Sequence, residues 1–402
     1  MLDPTTALNL DGDRPRLSPD FVLPDGVVYL DGNSLGAMPI QARERALRVV
    51  EEEWATGLIR SWNDADWVSL ARRVGDRIGG LVGAQPGTVI ACDSTSINLY
   101  KAVSSAMSHA DGARVILTDT ANFPSDLYVL GTLATAHDWE LRSVDPAEIV
   151  DALADGVGVM AITQVDYRSG RRHDMATVTN RATENGVVTV WDLAHSAGAF
   201  DVHLDACGVD YAVGCGYKFL NGGPGAPAFI YVSANRQAEM SNPITGWFAH
   251  ERPFDFEPRF RPADGIDRMR VGTSHVISLS VLDAALDVFD GVDHDEVWQR
   301  GTDLAAYLIE GFDALGLDVI TPREAADRGS QASFRHPQAY AIVQALIDRG
   351  VIGDFRSPDV ARFGVAPLYL SHTDIATALV QLADVIGNED LGRYAGRRGQ
   401  VT

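Results

Sequence analysis

The stretch that decides the fold is Val187–Gly225, VVTVWDLAHSAGAFDVHLDACGVDYAVGCGYKFLNGGPG. Val187–Trp191 is a nearly continuous β-branched and aromatic run, the pattern of a strand covered on both faces. It ends on Asp192, with His195 three residues later. A second short run, Tyr211–Val213, leads into a glycine-rich turn that carries Lys218. Ligands of open α/β sheets bind beyond the C-terminal ends of the strands, so an acid, an imidazole and an amine fall at one such edge. Taken alone, Asp192 reads equally well as a helix cap, and Lys218 as a solvated loop lysine.

Further runs of the same kind lie at Thr88–Cys92, Arg114–Thr118, Val157–Thr163 and Ala226–Val232, with helical periodicity over Ile97–Ser108, Ser125–His137 and Ala176–Glu184. Strand–helix alternation predicts an α/β fold with a large, doubly wound, mostly parallel sheet. From about Val276 the pattern changes. Long amphipathic helices at Val276–Phe289 and Glu296–Leu315 precede shorter units at Leu317–Ile320, Gln338–Arg349, Val351–Asp354 and Asp374–Ile386, the signature of a smaller α+β domain. Pro253–Asp264 and Thr321–Ser330 read as loops. The expected organisation is an N-terminal segment, 1–40, packed with the small domain, a large domain, 41–280, and a small C-terminal domain, 281–402. Two domains also suit a chain of 402 residues.

Composition narrows the function. The chain has 33 Lys+Arg against 55 Asp+Glu, a formal charge of −22, which rules against a general nucleic-acid or anionic-membrane binder. No run of 18 apolar residues is present, so no membrane span is expected. Met1-Leu2-Asp3-Pro4 has neither the basic start nor the apolar core of a signal peptide. The three cysteines, Cys92, Cys207 and Cys215, form no CxxC pair and read as reduced thiols of a cytoplasmic protein. The ten histidines include no HExxH, and no metal site is expected. Only two of the basic residues are lysines, Lys101 and Lys218. Salt adaptation or genomic base composition would also make lysine scarce. Chemistry that needs an amine still has two candidates. Lys101, within INLYKAVSSAM, falls on the polar face of a helix and reads as structural.

Asp192 and Lys218 define a chemical pair. Pyridoxal phosphate (PLP) needs a lysine for its imine, an acid for its ring nitrogen and an anion cradle. Desolvation in an apolar turn would lower the Lys218 ammonium and favour imine formation. Asp93-Ser94-Thr95-Ser96, between a strand and a helix, supplies a candidate cradle, and Phe123 an apolar face. Cradle, aromatic, acid and amine each follow a strand of one sheet.

With those residues in place, the chain resembles the kynureninases, PLP-dependent hydrolases of fold type I, the aspartate-aminotransferase superfamily. The resemblance rests on YLDGNSLG (Tyr29–Gly36), DSTSIN (Asp93–Asn98), NFPSD (Asn122–Asp126), WDLAH (Trp191–His195), GYKFLNGGPG (Gly216–Gly225), GWF (Gly246–Phe248) and RFGVAPLY (Arg362–Tyr369). It implies hydrolysis of L-kynurenine to anthranilate and L-alanine in tryptophan catabolism, by a homodimer with shared active sites. Lys218 would carry PLP as a Schiff base and shuttle protons. Asp192 would pair with the ring nitrogen beside His195, Phe123 would stack on the ring, and Asp126 and Thr163 would contact the ring or its substituents. Thr95, Ser96 and Tyr217 would hold the phosphate, with Trp247 and Thr273 reaching it from the neighbouring subunit. Tyr217 would also protonate Cβ, and Arg362 would clamp the substrate α-carboxylate through its guanidinium fork. Trp62 and Gly272 would line the aryl pocket in the bacterial manner, which favours kynurenine over its 3-hydroxy form.

Rival readings carry their own signals. A class-V-type PLP aminotransferase shares the fold and would require a keto-acid acceptor. A cysteine desulfurase needs a nucleophilic cysteine well after the lysine, whereas the last one here is Cys215. Gly32-Asn33-Ser34-Leu35-Gly36 matches the G-x-S-x-G nucleophile elbow, but it precedes the sheet strands and Met38-Pro39 interrupts the helix that should follow. A non-catalytic protein of this fold would have no need of both Asp192 and Lys218.

Overall fold

The structure is a computed structural model that describes residues 4–12, 16–110, 112–154, 156–388 and 390–394. Met1–Asp3, part of the stretch read for a signal peptide, and residues 395–402 of the predicted C-terminal domain lie outside them.

Seven strands form the main sheet, in the order Val89–Ala91, Phe229–Val232, Tyr211–Gly214, Val188–Asp192, Val157–Thr163, Val115–Asp119 and Glu140–Val144. Phe229–Val232 runs antiparallel to both neighbours, and every other pairing is parallel. All seven residues of Val157–Thr163 and all five of Val188–Asp192 are buried, which is why their sequences show no polar alternation. Glu140–Val144 escaped the sequence reading because it is an edge strand with no fully buried residue and two charged ones. Helices Thr95–Met107, Pro124–His137 and Met175–Glu184 follow their strands as the periodicity predicts.

One local expectation fails. Lys101 is not on a polar face: it is fully buried, its Nζ 2.7 Å from Asp93 Oδ2 and 2.6 Å from the Met269 carbonyl. A carboxylate and a carbonyl waiting inside made this helical face polar without making it wet. Trp62 lies on two short helical turns, Leu58–Arg60 and Ser61–Asp64. Helix Ile40–Arg48 and its π-helical continuation Val49–Gly57 precede it. Only Ala42 of Ile40–Arg48 is buried, so no apolar stripe announced it.

The second, four-stranded sheet is antiparallel throughout, in the order Asp318–Val319, Gln331–Arg335, Val360–Gly364 and Asp354–Arg356. Helices His294–Ala314, Ala339–Ile347 and His372–Asn388 accompany it. The N-terminal segment joins the two sheets. Val28–Tyr29 pairs with Val351–Ile352, and Asp11 caps helix His372–Asn388 through the backbone N–H groups of His372 (2.7 Å) and Thr373 (3.0 Å). Gly36 then donates its N–H to the Tyr217 carbonyl (2.8 Å), and a Cβ there would lie 2.2 Å from the Lys218 carbonyl oxygen. The second glycine of GNSLG is thus demanded by close approach to the lysine turn. Among the described residues no helix is long and apolar enough to cross a membrane.

Candidate active site

A cavity of about 750 Å³ opens at the C-terminal edge of the parallel strands, large enough for a cofactor and a small substrate. Thr163 and Asp192 are the last residues of adjacent strands and stand opposite each other in the register. Lys218 lies in the turn after Tyr211–Gly214, and Phe123 immediately precedes helix Pro124–His137. All four side chains line the cavity, with Asp93, Ser94, Thr95, Ser96, Asp126, His195, Tyr217 and Arg362.

The cradle is the start of helix Thr95–Met107. Ser94 is its N-cap, accepting weakly from the Ile97 N–H (3.5 Å). The N–H groups of Thr95 and Ser96 precede any intrahelical acceptor and, with the hydroxyls, suit an anion. Asp93 turns the chain here in the left-handed region (φ 51°), and Lys101 holds its carboxylate from behind.

The acids at the cavity floor are electrostatically unfinished. Burial pushes Asp192 up, an effect opposed by the Lys218 ammonium and by the Ala194 N–H, which donates to Asp192 Oδ1 at 2.7 Å. Asp126 is pushed well above the carboxylate range by burial and then by the negative charge of Asp192, so it stays protonated and donates to that neighbour. Burial holds His195 well below its ordinary value, helped by the positive charges of Lys218, Arg362 and Arg356. Its imidazole is neutral, and its buried Nδ1 has no hydrogen-bond partner. Tyr217 is pushed up, first by burial and then by Cys215 and Asp192, so its phenol keeps its proton. Phe123 is 39% exposed, its ring edge-on to Tyr167 at 5.0 Å.

These residues fit PLP. Two buried carboxyls share one proton and await a cation, as a protonated pyridine nitrogen would provide. A primary amine stands in the cavity with no hydrogen bond from its Nζ among the described residues. An open aromatic face and an anion cradle complete the set.

At the other end, Arg362 is 1% exposed and its fork is already occupied. Its Nε donates to Asp354 Oδ1 (2.7 Å) and its Nη2 to Asp354 Oδ2, while Nη1 donates to the Tyr167 carbonyl (2.7 Å). Ser34 Oγ accepts from Arg362 Nη2 (2.7 Å) and Arg356 Nη2 (3.1 Å) and donates to Asp354 Oδ2 (2.8 Å). Ser34 is therefore tied to an ionic cluster and to no histidine, which removes the nucleophile-elbow reading. Asp354 already takes two N–H groups of Arg362, so the bidentate clamp expected of this residue would meet a substrate carboxylate with its fork partly engaged.

Four predicted residues do not line this cavity within one chain. Trp62 and Trp247 flank Phe248, stacked at 6.0 Å and edge-on at 4.6 Å respectively, and the Arg270 guanidinium lies 4.3 Å from the Phe248 ring centre. Gly272 and Thr273 line a narrow cleft behind the cradle, with Cys92 and Asp93. The sequence reading missed Asn33, Ser34, Tyr167, His275 and Arg356 as cavity residues. Ser34 had drawn notice for the wrong chemistry; Arg356 carried no signal beyond its charge.

Solved structures share the fold. An apo cysteine desulfurase from Thermococcus onnurineus NA1 superposes with a TM-score of 0.80 at 17% identity, covering 92% of this chain and 97% of its own. A cystine C–S lyase in complex with cysteine persulfide does so at 0.79 and 19%, covering 90% and 98%. At such identities the likeness is one of fold, fold type I, and Cys215, 3% exposed, is no desulfurase nucleophile. Sequence relatives go further. The kynureninase C-terminal domain model matches residues 297–382. Kynureninase from Pseudomonas fluorescens is 46% identical over 391 residues, 94% of each chain, and that from Burkholderia pseudomallei (strain K96243) 46% over 396 residues, 95% of each. With that identity sustained along nearly its whole length, the chain belongs to the kynureninase family.

Proposed function

We propose that the protein is a PLP-dependent hydrolase that cleaves the Cβ–Cγ bond of L-kynurenine, adding water to give anthranilate and L-alanine in tryptophan catabolism. The observation that carries this reading is the convergence of Lys218, the Asp126–Asp192 pair and the Ser94–Ser96 cradle on one cavity, in a chain of this family. Bound through Lys218, the cofactor supplies an electron-withdrawing ring that stabilises negative charge at the substrate α carbon.

The chain's own residues do the rest. Thr95, Ser96 and the helix N-terminus hold the phosphate, joined by Tyr217. Asp192 would face the ring nitrogen and favour its protonated form, while Asp126, itself protonated, donates a hydrogen bond to Asp192 and Thr163 does the same from the next strand. Phe123 would offer the ring an apolar face, and His195 would lie beside Asp192, where its neutral imidazole does not oppose a positive charge on the nitrogen. Lys218, its amine free in the cavity, would act as the base that carries the proton of Cα. Tyr217, still protonated because it is buried, gives a proton to Cβ as the Cβ–Cγ bond breaks.

We read Trp247 and Thr273 as contributions to the partner's site in a homodimer, with Trp62 and Gly272 at its aryl pocket. Exposed apolar side chains support this: Trp54, Leu58, Ile59 and Phe256 are 57%, 60%, 77% and 73% exposed. The division into units 1–40, 41–280 and 281–402 and a cytoplasmic location belong to the same reading; the free thiols of Cys92, Cys207 and Cys215 suit the latter.

The test is end-product analysis. Purified protein with PLP and L-kynurenine should release anthranilate and L-alanine in equal amounts with no keto acid present. A requirement for a keto-acid acceptor would make it an aminotransferase instead.

A further inference from the structure

Arg356 ends the first strand of the hairpin whose second strand carries Arg362, and it lines the cavity, its side chain 35% exposed. All its described hydrogen bonds run through Nη2, to Ser34 Oγ at 3.1 Å and Asp354 Oδ2 at 2.5 Å. Its Nε is buried without a partner. Arg362 is the opposite case, with each of its three nitrogens engaged by protein and both Asp354 oxygens bound to its fork. A guanidinium has five N–H donors. Arg362 spends one on Asp354 Oδ1, two from Nη2 on Asp354 Oδ2 and Ser34, and one on Tyr167, which leaves one.

The charges agree with the donor count. Two guanidiniums share the single carboxylate of Asp354, which leaves one positive charge uncompensated at this end of the cavity. The remaining carboxyl, Asp31, is pushed up to about 7 by burial and then by Asp354, and a second anion nearby would keep it neutral. Burial and the charge of Arg362 lower Arg356, the mark of a cation short of a counter-ion.

We propose that Arg356 and Arg362 together receive the substrate α-carboxylate, each through N–H groups that the protein leaves unused, and that Asp354 is the positioning residue that orients both forks. Arg356 is then a substrate-binding residue in its own right, and Asp354 and Ser34 form the platform beneath.

The proposal rests on the reading of the cavity as a PLP-dependent amino-acid site, and ligand preference separates the two. Holoenzyme of the wild type, Arg356→Gln and Arg356→Lys is titrated with L-alanine and with L-alaninamide, following the absorbance of the bound cofactor. Arg356→Gln should weaken L-alanine about 10- to 100-fold, the range of a charged hydrogen bond, and leave the amide within about twofold. Arg356→Lys, which keeps the charge and loses the fork, should fall between. Equal weakening of both ligands would assign Arg356 a purely structural role and overturn the proposal, as would unchanged L-alanine binding. Kynurenine turnover by the wild type is the separate control. Its absence overturns both readings, whereas turnover with an unchanged ligand preference in Arg356→Gln overturns the arginine pair alone.

Discussion

At the cofactor end of the cavity Thr163, Asp192 and Lys218 stand at or just beyond the ends of neighbouring strands in one sheet, while at the far end Asp354, Arg356 and Arg362 come from two strands of another sheet and meet Ser34 from the N-terminal segment. The first group is held by backbone pairing and left chemically unsatisfied: two carboxyls share a proton, and an imidazole nitrogen has no partner. The second is tied together before any ligand arrives, since Asp354 already binds both guanidiniums, and what it leaves over is one positive charge and the unpartnered Nε of Arg356. A site whose polar groups wait for a cofactor can lose one of them and still fold. A site built as an ionic knot loses stability when its shared carboxylate goes.

The sharpest way to break that contrast is at the lysine. Lys218→Ala should lower anthranilate release at least about a thousandfold, since both the covalent anchor and a proton carrier go. It should also abolish the absorbance band near roughly 420 nm expected of a PLP imine. The apoprotein should melt within about 2 °C of wild type, because Lys218 Nζ makes no hydrogen bond among the described residues, lies 6.0 Å from the Tyr217 ring centre, and its charge opposes His195 while favouring Asp192. A large drop in melting temperature would mean that the cofactor end is also structural.

Asp354→Asn probes the other side. With the carboxylate gone, two guanidiniums face each other almost uncompensated, and breaking a buried pair in this way costs about 3 kcal/mol or more. The midpoint of urea unfolding of the apoprotein should fall accordingly, with an unchanged slope. An apoprotein as stable as wild type would show that the knot is not holding the two sheets and the N-terminal segment together.

The same contrast explains what could be read from the chain. Buried parallel strands announce themselves as unbroken β-branched runs, and the residues that follow such a run are placed by it, so Thr163, Asp192 and Lys218 were legible together. Helix starts were legible to within two residues, Ile97 against the observed Thr95 and Ser125 against Pro124. Ser34 and Asp354 are 320 residues apart, and nothing local says that they touch. Arg356 sits on a three-residue strand too short for a periodic signal. Lys101 failed for a related reason: its buried partners, Asp93 and the Met269 carbonyl, are supplied by other segments, so helical spacing alone put it in water. Charges neutralised by distant residues look, in sequence, like charges neutralised by solvent.

Asp31 offers the smallest and most specific test. It faces Asp354, Arg356, Arg362 and Ser34, with Tyr29 and Tyr369 close enough to be affected by its charge. Its folded carboxyl holds its proton to about pH 7, whereas the unfolded one releases it near 4. Between those values the folded state binds more protons than the unfolded state, so this group's contribution to stability falls as pH rises and levels off above about 7. Asp31→Asn removes that dependence. Its stability relative to wild type should therefore climb by about 1–2 kcal/mol between pH 5 and pH 8, measured by urea unfolding of the apoprotein. A difference that stays flat across this range would mean that Asp31 is ionised throughout. The knot would then already be neutral, with two carboxylates to two guanidiniums, and would have no net charge left with which to attract a substrate carboxylate.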